Sequence, residues 1–180
     1  MGSVNDLTPG EWNIDPSHSV VGFVGRHLMI SKVRGRFNTF SGVVHVPEDP
    51  LQSTVEATVV LDSVTTGDET RDAHLRGEDF FNTEQHPVMT FTSTGLKADG
   101  DDYILTGDLT VAGQTHSIDF DLEFDGVEKD PWGGTRAGFT ATAEISRKDW
   151  NLTWNVALET GGVLVGDKIK IELEVEAVKA

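Results

Sequence analysis

The sequence predicts an all-β domain, an antiparallel up-and-down barrel of about eight strands with one or two short helices in its long connections. Three observations lead there. Apolar residues recur with period two, the segments that show it are joined mostly by short turns, and the 180-residue chain has no internal repeat or linker to divide it. Consecutive strands joined by short turns pair antiparallel with their neighbours. A ring of them with one apolar face closes into a barrel and removes its exposed edges.

Residues 1–11 read as a tail and 12–180 as one domain. The first strand runs from Trp12 to Arg26; within it Asp15-Pro16-Ser17-His18-Ser19 reads as a turn, Asp15 and Ser17 bonding nearby backbone N–H groups. The second spans Arg34 to Val46. In the third, Val55, Ala57, Val59 and Leu61 alternate with Glu56, Thr58, Val60 and Asp62. The connection Thr66 to Pro87 is long. Asp68 to Leu75 forms a short helix in it, because Asp68, Glu69 and Asp72 give an acidic first turn that suits the helix dipole. Phe80 and Phe81 follow and cover one barrel end.

Val88 to Leu96 is the next strand, and Ala98-Asp99-Gly100-Asp101 turns the chain with a glycine for positive φ. Tyr103, Leu105, Gly107, Leu109 and Val111 form one face of its partner, before a second glycine turn at Ala112-Gly113-Gln114. Ile118, Phe120, Leu122 and Phe124 then alternate strictly with Asp119, Asp121 and Glu123. A helix would scatter those carboxylates all round; a half-buried strand puts them on its wet face. Phe139, Ala141, Ala143 and Ile145 make the next inner face. A second long connection, Arg147 to Gly166, carries Trp150, Leu152 and Trp154. Ile169, Ile171, Leu173 and Val175 close the series.

Composition excludes several classes. With no cysteine there is no disulfide, thiolate metal site, Fe–S cluster or cysteine nucleophile. Thirty acidic residues against fourteen basic ones, a net charge of −16, repel phosphate backbones and anionic membranes, so neither nucleic-acid binding, peripheral membrane docking nor stable membrane insertion is expected. No stretch approaches the ~20 apolar residues of a spanning helix. Met1 to Gly10 shows neither a basic region nor an apolar run, which reads as cytoplasmic. The reading becomes periplasmic or secreted if Met1-Gly2-Ser3 replaces an export signal.

Few constellations carry chemistry. The six histidines form no H-x-x-x-H or H-x-H pair, so no metal or other cofactor is expected. Asp15, Ser17 and His18 are triad residue types, but triad members normally converge from separate elements. Glycines number 19 without phosphate-loop spacing and serve turns, bulges and curvature. Arg71, His74 and Arg76 could fix an anionic head group at a barrel mouth, or Arg71 and Arg76 could pair with Asp68, Asp72, Glu78 and Asp79. The strand aromatics Phe23, Phe37, Phe40, Phe91, Phe120, Phe124 and Phe139 either fill the barrel or line a cavity kept open by small residues such as Gly107, Ala57 and Ala141.

The ordered motifs resemble the YceI-like family. They are Ile14-Asp15-Pro16-Ser17-His18-Ser19 with Phe23 and His27-Leu28, then Gly35-Arg36-Phe37 with Phe40-Ser41-Gly42, and Ser63-Val64-Thr65-Thr66. Arg71-Asp72-Ala73-His74-Leu75 with Asp79-Phe80-Phe81, Pro87 with Phe91, Gly107-Asp108-Leu109-Thr110 and Arg147-Lys148-Asp149 complete the set, spanning Trp12 to Val178. Trp150-Asn151 stands where the family usually has Phe-Gly, and His86 where a tyrosine often precedes the proline.

The resemblance implies a lipocalin-like barrel that binds or transports a long-chain isoprenoid lipid, a polyprenyl phosphate or isoprenoid quinone, without catalysis. It also implies a link to stress responses and a homodimer among its partners. The candidate ligand contacts are then Phe23, Phe37, Phe40, Ala57, Val59, Met89, Phe91, Leu105, Phe120, Leu122, Phe139, Ala141 and Trp150, with Arg71 and His74 at the mouth. An enzyme acting on a small apolar substrate, or a filled barrel serving as an interaction scaffold, are the alternatives.

Overall fold

A computed structural model describes residues 3–158 and 164–180. Its strands are β1 (Gly10–Ile14), β2 (Val20–His27), β3 (Ser31–Phe37), β4 (Phe40–Val46), β5 (Thr54–Val60), β6 (Val64–Thr65), β7 (Val88–Asp99), β8 (Asp102–Val111), β9 (Gln114–Lys129), β10 (Thr135–Ser146) and β11 (Lys168–Lys179). One α-helix, α1 (Glu69–Arg76), lies in the first long connection. All pairings are antiparallel and run β1-β4-β5-β7-β8-β9-β10-β11, with β11 returning to β1 to close the ring. The remaining segments continue these strands: β2 extends β1, β3 leads into β4, and β6 follows β5. The barrel therefore has eight positions, three of them filled by interrupted strands.

The interruptions have local causes. Pro16 has no N–H to give a ladder, and the Asp15 carboxylate accepts from the Ser17 N–H at 3.0 Å, so the chain makes one 3-10 turn at Pro16–His18. The neighbouring β11 is served across the gap, because Asp15 N–H donates to Glu176 O at 2.8 Å and the Glu176 N–H donates to Ser19 Oγ at 3.0 Å. A second 3-10 turn at Leu61–Ser63 separates β5 from β6. In the two sequence-legible hairpins, Gly100 (φ 64) and the pair Ala112 (φ 50) and Gly113 (φ 78) supply the left-handed backbone that tight turns require.

Two bulges change which face residues occupy. The β7–β8 register slips between Ser93 and Gly95, leaving Thr94 over, and the β9–β10 register slips at Asp125. Each extra residue resets the alternation. Leu96 therefore joins Met89 and Phe91 on the inner face, and Val127 packs with Phe124.

Both ends are packed. Part of the segment read from the sequence as a tail folds under one end, where Val4 and Leu7 are 3% and 5% exposed and pack with Trp12, Val44, Val46 and Phe124. Val4 N–H donates to the Tyr103 hydroxyl at 3.2 Å and the Trp12 indole to Thr8 O at 3.1 Å, which satisfies polar groups that burial would otherwise penalise. At the other end α1 is capped by Asp68, whose carboxylate accepts from Arg71 N–H. Leu75 and Phe81 pack there over Phe37, Leu61 and Val64.

Candidate functional site

The inward faces of the strands enclose a cavity of about 190 Å³. Its walls are aliphatic and aromatic; Ser41, Ser53 and Thr90 are the polar lining residues, and no lining residue is charged. The Ser53 hydroxyl is already used, donating to Pro50 O at 2.6 Å. Such a lumen offers a ligand apolar burial and almost no directional bond.

The aromatics are arranged in pairs: Phe23–Phe37 at 5.6 Å, Phe91–Phe120 at 5.4 Å and Phe124–Phe139 at 5.3 Å between ring centres. Two rings lie flat on glycine. A Cβ at Gly35 would stand 2.3 Å from Phe23 Cζ, and one at Gly107 would stand 2.3 Å from Phe91 Cζ. A large ring is thus laid along the wall rather than across the axis, and space is left beside it.

Twelve of the sequence-derived candidates line this cavity: Phe23, Phe37, Phe40, Ala57, Val59, Met89, Phe91, Leu105, Phe120, Leu122, Phe139 and Ala141. Strand periodicity puts each of them on the inner face, since side chains between the bulges alternate inward and outward, and closure of the ring brings the faces together. The sequence reading missed Leu96, because of the Thr94 bulge, and missed Val4 and Leu7, because a short polar-flanked segment carries no periodic signal. Ile171, Leu173 and Val175, legible as an inner face, also line it.

Three candidates lie elsewhere. Trp150 is 2% exposed but does not line the cavity; it plugs the α1 end, with its indole N–H on Leu109 O at 2.9 Å and its ring edge-on to His116. Arg71 turns back on its own connection, donating to Thr66 Oγ1 at 2.7 Å and Thr66 O at 2.9 Å, not to the neighbouring acids. His74 bonds Asp79 at 2.9 Å and packs edge-on against Phe80 and Trp154. Arg76, the third cation of that cluster, spends its guanidinium on Asp62 O and Val64 O.

The Asp15, Ser17 and His18 side chains do meet, in an arrangement that cannot relay a proton to serine. Ser17 Oγ and Asp15 Oδ2 both contact His18 Nδ1, at 3.1 and 2.9 Å, whereas a triad needs them on opposite ring nitrogens. The cluster lies outside the barrel and is tied down by Arg136, which reaches Asp15 at 2.8 Å, Asp130 at 2.9 Å and Glu176 at 3.2 Å. That guanidinium is the main reason the Asp15 carboxyl is held well below the usual carboxylate range. At Asp130 the backbone N–H of Gly134 acts first and Arg136 second, in the same direction. Among the described residues no group of three or more His, Asp or Glu is placed to hold a metal ion.

One functional-looking residue was legible only as a motif. Arg147 is 4% exposed and donates to the carbonyls of Gly166, Trp154 and Val165 at 2.9, 3.0 and 3.3 Å, and to that of Leu152. Burial lowers its pKa, and Asp167 opposes that shift. It anchors the second long connection onto the barrel end, and only tertiary contact reveals those acceptors.

Comparison with known proteins places this geometry. The YceI-like domain family matches residues 12–177. A UPF0312 protein of Staphylococcus epidermidis is 39% identical over 168 residues, 92% of this chain and 96% of that protein. The solved structure of the Campylobacter jejuni YCEI protein is 34% identical, with a TM-score of 0.73 over 86% of this chain and 90% of that one. A polyisoprenoid binding domain from Saccharophagus degradans, 17% identical, shares the fold, with a TM-score of 0.72 over 94% of this chain and 98% of that one. The match runs from the first strand of the closed ring into the last, and this chain belongs to the YceI-like family.

Proposed function

We propose that the protein binds and carries a long-chain isoprenoid lipid in its barrel, with no covalent step. The observation that carries this reading is the uncharged, almost wholly apolar lumen. The polyisoprenoid binding domain of the same fold supports the choice of tail. Burying ten tail carbons contributes roughly 8 kcal/mol before the cost of ordering the chain, enough to drive binding without a head-group contact.

The size of the lumen adds a requirement. A dry cavity of about 150 Å³ takes one benzene ring, so 190 Å³ takes about one isoprene unit. A longer tail enters by displacing side chains along the axis. Met89 is unbranched and adaptable, and the Phe23 and Phe91 rings, each packed on one aromatic neighbour, also lie against a glycine.

Native mass spectrometry with organic extraction, on protein purified without detergent and then incubated with a polyprenyl phosphate or an isoprenoid quinone, tests the proposal. A retained species of isoprenoid mass is the expected result. An unchanged protein mass after both incubations would move the assignment to a scaffold barrel.

A further inference from the structure

We propose that the β2–β3 hairpin tip docks on an anionic lipid surface. The tip is the turn His27-Leu28-Met29-Ile30. Leu28 (φ 54) and Met29 (φ 59) both adopt the left-handed backbone that Asn-Gly normally supplies in such a turn. Apolar, unbranched or γ-branched side chains are strained there, yet they are the residues present. The turn displays Met29, 57% exposed, and Ile30, 81% exposed, while Leu28 stays half-buried. Val156, 44% exposed, lies one segment further on, since Leu28 N–H donates to Leu164 O and Leu164 N–H donates to Val156 O. Aliphatic groups projecting from one strained tip are shaped for insertion into a soft apolar layer.

Charge selects the kind of layer. Between Asp15 and Glu48 the chain has no acidic residue, although thirty occur elsewhere, and it carries Arg26, Lys32, Arg34 and Arg36. In the β2–β3 register Arg26 faces Lys32 directly, Arg34 pairs with Val24 and Arg36 with Gly22, so the four cations share the outer face of the hairpin. Lys170, opposite Val24 on β11, continues that face. Among the described residues the acids that meet this surface are Glu172, 3.5 Å from both Arg34 and Lys170, and Glu174, which shares a shallow depression with Arg34 and Arg36 at the end away from the tip; beside them Glu144 and Asp167 pair with Lys168 and Lys148.

Arg26 and Lys32, nearest the tip, have no ion pair among the described residues. At physiological salt charges beyond about 8 Å are screened, so a bilayer touching the tip meets this basic rim rather than the net charge of the whole chain. A second copy docking tip to tip would instead bring two basic rims together.

The test is flotation of the full chain with phosphatidylglycerol–phosphatidylcholine vesicles, and with phosphatidylcholine alone, without any isoprenoid. Its failure is thus distinct from failure of the cargo reading. The parent is expected to float with the anionic vesicles, more weakly in high salt, and poorly with neutral ones. Met29→Gly/Ile30→Thr should lower anionic vesicle affinity about ten-fold or more, the loss of two inserted side chains. Its melting temperature should stay level or rise, because glycine accepts the Met29 backbone without strain. A parent that stays unbound, a parent that binds neutral vesicles equally well, or a variant that floats like the parent overturns the proposal. So does concentration-dependent self-association that the variant loses.

Discussion

Substituting Gly35→Ala tests whether the lumen is held open by rings laid on glycine. The new Cβ would stand 2.3, 2.8 and 2.9 Å from Cζ, Cε1 and Cε2 of Phe23, with the ring as the obstructing group. Carbon pairs settle at about 3.5 Å or more, so the ring must move by roughly 1.2 Å. Phe37 blocks one direction, being 5.6 Å from Phe23 between ring centres and backed by Phe81 at 5.8 Å. The ring is driven toward the cavity it lines.

Overpacking of this kind costs about 1–3 kcal/mol, and replacing glycine returns about 0.4–1 kcal/mol through the unfolded chain. A net loss of about 1–2 kcal/mol lowers the melting temperature by about 2–8 °C for a chain of this size. Urea and thermal unfolding measure it, and a double-mutant cycle with Phe23→Leu isolates the contact. The cost should largely vanish without the Phe23 ring. An unchanged Tm with Phe23 present, or an equal loss with and without it, refutes the reasoning.

Two further outcomes follow from the charged anchors. Arg136→Met removes the cation shared by Asp15, Asp130 and Glu176. In the parent the Asp15 and Asp130 carboxyls titrate below their unfolded values, so their stabilisation is complete above about pH 4 and lost as pH falls below it. The variant should have a lower urea midpoint at pH 7 and a flatter decline between pH 5 and pH 2.5; parallel declines would contradict this. Arg147→Met leaves the carbonyls of Leu152, Trp154, Val165 and Gly166 without their shared donor and should cost about 3 kcal/mol in urea unfolding. Arg147→Lys, unable to reach all of them, should recover only part.

The barrel and most of its lining were legible because their signal is local. Side-chain direction in a strand alternates with every residue, so Phe120 and Leu122, or Ala141 and Phe139, declare their face from sequence alone. The same signal fails at a bulge. Thr94 shifts the phase, and Leu96 enters the lumen from a position that simple alternation assigns outside. Net charge is a total that averages over the chain, so it does not show the acid-free hairpin between Asp15 and Glu48.

By itself, the sequence determined the strand number, the glycine turns, the short helix and the inner-face identity of the twelve candidates, all consequences of short-range backbone geometry. Tertiary structure alone decided that the first strand closes on the last, that Val4 and Leu7 seal one end, and that Trp150 plugs the other rather than lining the cavity. It also decided that Arg71 spends its guanidinium on Thr66 of its own connection and Arg76 on the carbonyls of Asp62 and Val64 just before it. Those outcomes depend on which distant donors and acceptors arrive together. Packing sets that, and no local periodicity encodes it.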